Sequence, residues 1–284
     1  MRKSTIQLLR FHFSFFLMPV FWFAASLTHP LQLSDAILIF IILHLILYPS
    51  SNGYNSYMDR DEGSIGGIKN PMKPTKQLYY VSVVTDMAAV FLGTFISSWF
   101  AIGILLYILA SRAYSYRGIR LKKYPVAGLL TVMIFQGGLI FWLVMHGLSI
   151  DKSMHVPWLG MIAASLLVGS FYPLTQIYQH TQDKNDGVTT ISMVLGYKGT
   201  FICTVILFTL AMICMSALLI RTETTQIFIG FNLFFLPTLI FFGWWMIHVF
   251  KDSVYANYSN TMKMNIFSSV CSNAAFIYLF IQLH

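Results

Sequence analysis

Asn52, Asn55, Asp59 and Glu62 stand at i, i+3, i+7 and i+10 in SNGYNSYMDRDEGSIGG, residues 51–67. On a helix that spacing gathers them on one face. Gln176, Gln179, Asp183 and Asp186 repeat it, as amide, amide, acid, acid, in YPLTQIYQHTQDKNDGVTT, residues 172–190. Carboxylate and amide oxygens are hard donors suited to Mg²⁺, an ion that takes one or two carboxylates, keeps waters and bridges to substrate phosphate oxygens. Asp61 points elsewhere if the first helix runs on, and joins the set only if Gly63, Gly66 and Gly67 have already unwound it. Either stretch alone is explained by solvated charge at a helix end, which is common. Two stretches with one spacing, each running into a glycine-containing loop, are harder to dismiss. An internal duplication and chance would both produce four matching positions.

A third stretch has the opposite sign. YSYRGIRLKKYP, residues 114–125, sets Arg117, Arg120, Lys122 and Lys123 among three tyrosines. It reads either as a membrane-surface anchor or as a phosphate clamp, with Arg as a bidentate fork and Lys as a point charge. GGIKNPMKPTK, residues 66–76, adds Lys69 and Lys73 beside prolines that stiffen the loop. Metal-binding faces and basic loops at one membrane surface suit a diphosphate whose tail lies in lipid.

The elements that position these residues are membrane helices. The chain has 284 residues, 57% hydrophobic and 10% charged, with mean hydropathy +0.68. Soluble domains carry about 25% charged residues. In lipid the backbone must satisfy itself within helices or a closed barrel, and apolar runs of about 20 residues without alternation favour helices. Such runs fall at 11–28, 34–51, 78–95, 98–113, 126–147, 157–179, 200–220, 226–250 and 264–283. The long run 77–111 would reach about 50 Å as one helix, against a hydrocarbon core of about 30 Å. A hairpin near TFISSW, residues 94–99, resolves the conflict.

Nine spans then place 16 of the 18 Lys and Arg residues on one side and leave Lys152 and Arg221 on the other. The positive-inside rule puts the N-terminus in the cytoplasm and the C-terminus outside. The net charge of +8 follows from this topology and calls for no nucleic acid. The N-terminus has the basic start and apolar middle of a signal peptide but no convincing cleavage site, and reads as a retained first helix. Cys203, Cys214 and Cys271 lack metal-ligand spacing and read as packing residues.

The three stretches together resemble the UbiA superfamily of intramembrane prenyltransferases. Helices two and six of that family carry motifs of the form N-x-x-x-D-x-x-x-D and D-x-x-x-D-x-x-x-G-x-x-T. Asn55 and Asp59 match the first, with Gly63 where the last Asp is usual. Asp183, Gly187 and Thr190 match the second, with Gln179 for the first Asp. KNPMKP, residues 69–74, resembles the family's N-P-x-[RK]-P, and YS…RLKK, opening at Tyr114, resembles its Tyr/Lys loop.

The resemblance implies one UbiA-like domain over residues 1–284: an all-α polytopic bundle of nine transmembrane helices around a cavity open toward lipid. It implies an integral protein of a bacterial-type inner (cytoplasmic) membrane, its active-site mouth facing the cytoplasm. The implied reaction is Mg²⁺-dependent transfer of an isoprenyl group from an isoprenyl diphosphate to an aromatic or other lipophilic acceptor. Asp59 and Asp183 would be catalytic. Asn55, Arg117, Arg120, Lys122, Lys69, Lys73, Tyr114 and Gln179 would bind substrate. Metal ligands would come from Asn55, Asp59, Asp61, Glu62, Asp183 and Asp186. Glu62, one turn after Asp59, could compensate for Gly63, Asp61 could do so if the helix unwinds first, and Asp186 could extend Asp183; an altered two-metal site and a one-metal site leaning on Arg and Lys both stay open. The amide and glycine replacements also leave open a UbiA-fold protein that has lost transfer and carries lipid or ions.

Asp86 lies inside the third apolar run, where an ionisable residue is expensive; it either binds the acceptor or pairs with a basic residue. Gln136 is a candidate for the cavity wall, and Gly137 and Gly138 for close helix approach. His44, His146 and His248 read as structural hydrogen-bonders. His180, within the second motif, is the one histidine with a functional claim.

Overall fold

A computed structural model describes residues 1–60, 62–219 and 225–284, with the side chain of Thr225 also outside the description. Asp61 and Arg221 therefore lie outside the described residues. Among those described, the chain forms nine helical rods and no strand beyond two isolated bridges. They are α1 (Lys3–Ser26), α2 (Leu33–Asp59), α3 (Lys76–Gly93), α4 (Ser98–Ser115), α5 (Pro125–Leu148), α6 (Trp158–Asn185), α7 (Ile191–Leu219), α8 (Gln226–Leu233 and Leu236–Lys251, bent by 45°) and α9 (Tyr258–Leu283). Seven are long and apolar enough to cross a membrane, and α8 makes eight if its bent pair is one span. The rod outside this count is α3. It spends part of its 18 residues on Lys76, Gln77, Ser82, Thr85 and Asp86.

The hairpin between α3 and α4 falls where chain length demands a break. Residues 94–96 form a turn, and the Ser97 side chain caps α4 by accepting from the Phe100 N–H at 2.9 Å. A Cβ on Gly93 would meet the Ala101 Cα at 3.2 Å, so glycine lets the two helices close tightly there. In lipid, helices associate through close packing and interhelical hydrogen bonds, since lipid tails are as apolar as leucine. Gly137 is the plainest case: a Cβ would lie 2.5 Å from the Ser165 Cα, which brings α5 against α6. The aromatic centre is the stack of Phe23 on Phe276, 4.8 Å between centroids, with Phe141 tilted against Phe23 at 4.8 Å.

Two rods change winding along their length. Ile41–Leu47 of α2 and Met133–Leu139 of α5 are π-helical, a rare geometry frequent at functional sites. Gln136 lies in the second of these segments and faces the central cavity.

Asp86 is settled by its partners. It pairs with Arg112 of α4, and the Ser50 hydroxyl lies 2.5 Å from its Oδ1. The Arg112 guanidinium also sits 3.8 Å above the Tyr54 ring. The group ties α2, α3 and α4 together. His146 bridges the Ser97 hydroxyl at 2.7 Å and the Ser153 carbonyl at 3.0 Å, and His248 meets the Trp244 carbonyl at 2.7 Å. His44 packs instead against the rings of Phe40 and Tyr48.

Candidate active site

The last two turns of α2 present Asn52, Asn55 and Asp59 to one cavity. The helix stops at Asp59 because Arg60 takes a left-handed conformation, φ 56° and ψ 39°. That stop corrects the sequence expectation for Glu62: with no helix beyond Asp59, the two do not share a face. Glu62 is exposed and lies outside the cavity wall. The chain then folds across the second motif. The Gln179 amide donates to the Ser64 carbonyl at 3.3 Å, and a Cβ on Gly63 would meet the Gln182 Oε1 at 2.7 Å. Glycine at 63 thus lets the first motif lie directly on the second, and an aspartate there would require Gln182 to move.

In α6 the winding tightens into a 3₁₀ turn at Ile177–Gln179, after Pro173, and recovers at His180–Asn185. Gln176, Gln179 and Asp183 line the cavity. Gly187, with φ 67°, reverses the chain, and the Val188 N–H returns to the Asp183 carbonyl at 2.8 Å. Asp186 sits at the helix end, outside the cavity lining, and faces the basic loop. His180 also turns away: its Nε2 lies 2.8 Å from the Ser192 hydroxyl and its ring stacks on Tyr197. It holds α6 to α7.

The loop between α4 and α5 closes over both motifs. Lys122 Nζ lies 2.5 Å from Asp59 Oδ2. Arg120 pairs with Asp186, donates to its carbonyl at 3.1 Å, and comes within 3.8 Å of Asp59 Oδ1. Arg117 donates to the Met58 carbonyl at 2.8 Å and lies 3.9 Å from Asp186. Arg120, with φ 54°, makes the reversal that starts the turn Leu121–Lys123. At the cavity wall the Tyr114 and Tyr172 hydroxyls are 2.5 Å apart.

The cavity, about 280 Å³, joins this polar end to an apolar wall that includes Phe13, Leu17, Val20, Phe135, Leu167 and Phe171. Asn55, Asp59, Lys122, Tyr114, Gln179 and Asp183 are thus brought to one space, with Arg117, Arg120 and Asp186 at its rim. Lys69 and Lys73 are exposed and outside its lining.

Sequence reasoning missed one wall. Asn265, Ser268, Ser269 and Ser272 of α9 also line the cavity. Their i, i+3, i+4, i+7 spacing, polar within an apolar rod, was the available signal.

The donor set fits a hard divalent cation. Asp59 Oδ1 is buried and makes no hydrogen bond. Asn55 commits its Nδ2 to the Ser115 hydroxyl at 2.9 Å, which leaves its Oδ1 as an acceptor. Among the described residues no three His, Cys, Asp or Glu side chains cluster as a metal site. One carboxylate from each motif, with amide oxygens, matches an ion that relies on substrate phosphates for its remaining contacts.

The profile of the UbiA prenyltransferase family matches residues 15–268, and the chain belongs to that family. Solved structures share its fold. A UbiA homologue from Archaeoglobus fulgidus bound to DMAPP and Mg²⁺ is 20% identical, covers 99% of each chain and has a TM-score of 0.73. The apo UbiA homologue from Aeropyrum pernix K1 is 17% identical, with TM-score 0.70 over 94% of this chain and 98% of that one. A digeranylgeranylglyceryl phosphate synthase is 15% identical, with TM-score 0.62 over 99% and 98%. No curated protein matches.

Proposed function

We propose that this membrane protein transfers an isoprenyl group from an isoprenyl diphosphate to a lipophilic acceptor, with Mg²⁺ bound at its two motifs. The observation that carries the reading is the convergence of Asp59, Asp183 and Lys122 on one cavity whose other wall is apolar. The Mg²⁺ and prenyl diphosphates held by the Archaeoglobus relatives support it.

Asp59 and Asp183 would hold Mg²⁺, assisted by the Asn55 and Gln179 amide oxygens. When bound, the ion supplies counter-charge to the diphosphate. Lys122 and Arg120 exchange their carboxylate partners for phosphate oxygens, and Arg117 closes the rim. Tyr114 and Tyr172 orient the bridging end of the substrate, while Phe135 and Phe171 pack against its chain. The allylic C–O bond breaks with its electron pair going to the diphosphate. The acceptor's electron pair forms the new bond to the allylic carbon, and the acceptor then sheds a proton. Cationic donors fixed around the leaving group lower this barrier because they need no reorganisation.

In this reading residues 1–284 are one UbiA-like domain with nine spans, α3 among them. The N-terminus and the motif mouth face the cytoplasm of a bacterial-type inner membrane, and the C-terminus lies outside.

The test uses the purified chain in lipid nanodiscs with Mg²⁺, labelled dimethylallyl or geranyl diphosphate, and phenolic and glycerol-based acceptors. Mg²⁺-dependent product and diphosphate release are expected, abolished by EDTA and restored by added Mg²⁺. Tight prenyl diphosphate binding with no release for any acceptor would favour a carrier instead.

A further inference from the structure

Among the described residues, the cavity ends at one level on every helix that lines it. Its deepest lining residues are Val20 of α1, Ser51 of α2, Tyr107 of α4, Gln136 of α5, Leu167 of α6 and Ser272 of α9. One turn further in stand Phe23, Tyr48, Ile104, Ile140, Ala164 and Phe276, each no more than 1% exposed and outside the lining. The inner end is therefore blind. On α2 the floor at Ser51 lies about 12 Å below Asp59, at about 1.5 Å per residue. On α4 the step from Ser115 down to Tyr107 has the same length.

Tyr107 is the broadest side chain at that level. It is 2% exposed, and its hydroxyl is held by Ser51 and Gln136, so its ring is fixed from α2 and α5 at once. The Tyr48 ring backs it from one turn deeper, 6.1 Å between centroids. A floor packed in this way does not yield cheaply, because forcing extra carbons into a close-packed interior drives side chains off their rotamers. The cavity is also small, about 280 Å³, where pockets for drug-sized ligands hold about 300–1,000 Å³.

We propose that Tyr107 sets the length of the prenyl donor, and that the donor is no longer than geranyl. An extended chain advances about 1.2 Å per bond, so each isoprene unit, with its four chain bonds, adds about 5 Å. With the diphosphate at Asp59 and Asp183, two units reach the Tyr107 ring and a third meets it. The assignment rests on the transferase reading above and narrows it to short-chain donors.

Equilibrium binding to the full chain in nanodiscs tests it, with Mg²⁺ and the dimethylallyl, geranyl, farnesyl and geranylgeranyl thiolodiphosphates as probes. Wild type should hold the geranyl compound about tenfold more tightly than either longer one. Tyr107→Ala should bring the farnesyl-to-geranyl affinity ratio to about one, because the space a ring vacates takes an apolar group. Tyr107→Phe keeps the ring and should keep the limit. Leu167→Phe should raise the floor and move the drop to between dimethylallyl and geranyl, which decides the matter if Tyr107→Ala does not fold. Wild type that binds all four lengths alike, with long chains leaving sideways into lipid, would overturn the assignment. So would a folded Tyr107→Ala that keeps the drop after geranyl. Binding of none of the four would instead sink the transferase reading.

Discussion

Lys122 Nζ stands 2.5 Å from Asp59 Oδ2, with the two side chains only 12 and 4% exposed. Arg120 makes the matching pair with Asp186. One loop therefore offers a cation to an acid from each motif. A buried pair is worth less as stability than as placement, because desolvating both charges offsets much of their attraction. What it provides here is position: both cations are held where a diphosphate bound at the motifs would meet them.

Asp59→Asn and Asp183→Asn should each lower kcat/KM by about 100-fold or more, the range seen when one preorganised charge-stabilising group is lost. Asparagine keeps the shape, and at 59 its Oδ1 can still accept from Lys122 although the counter-charge is lost. Product quantified by mass spectrometry, with size-exclusion profiles as the folding control, checks this. Wild-type turnover in both variants would remove these two residues from the mechanism.

Lys122→Ala should raise KM for the prenyl diphosphate about tenfold, a loss of about 1.4 kcal/mol. Arg120→Lys should behave like Arg120→Ala, since a point charge cannot reproduce a fork that reaches Asp186 through both its carboxylate and its carbonyl. Steady-state kinetics with labelled donor decide it. Full activity in Arg120→Lys would mean that charge alone matters there.

Glu62→Ala should change kcat/KM by no more than about a factor of two, the effect of a typical surface substitution. Glu62 is exposed and follows the left-handed Arg60. A hundredfold loss would show that the segment after Asp59 refolds over the substrate and that Glu62 becomes a ligand.

Asp86→Ala or Arg112→Ala alone should destabilise the fold by about 3–5 kcal/mol, because each leaves the opposite charge buried. The double variant Asp86→Leu/Arg112→Met should recover much of that loss. Unfolding monitored in detergent by intrinsic fluorescence gives the comparison. Equal stability of the single variants and wild type would mean that the pair is solvated.

Local pattern carried far into this fold. Helical spacing exposed the two polar faces, chain length against bilayer thickness located the turn at 94–96, and the basic loop announced itself by composition. Three features depended on something other than spacing. Arg60 ends α2 through a backbone conformation that arginine rarely signals. The 3₁₀ turn at Ile177–Gln179 winds with about 3.0 residues per turn. The helix that resumes after it ends at Asn185, which leaves Asp186 at the rim instead of beside Asp183. The partner of Asp86 comes from a different helix, 26 residues on, where no periodicity within α3 could point to it.

The π segment Ile41–Leu47 sits within α2, between the first turns of the rod and the motif at its end. A π turn absorbs one residue more than an α turn, which rotates everything after it by about 100° relative to an uninterrupted α-helix. The two halves of α2 are thereby set to different azimuths, as if on a vernier. Residues before the segment can be selected for packing and residues after it for aim. Forcing residues 41–47 into plain α-helix with no residue removed would keep every side chain of the motif and the full apolar length needed to span. It would swing Asn52, Asn55 and Asp59 out of the cavity wall by about 100°, whereas deleting one residue from the segment, the one the π turn absorbs, would leave them aimed where they are.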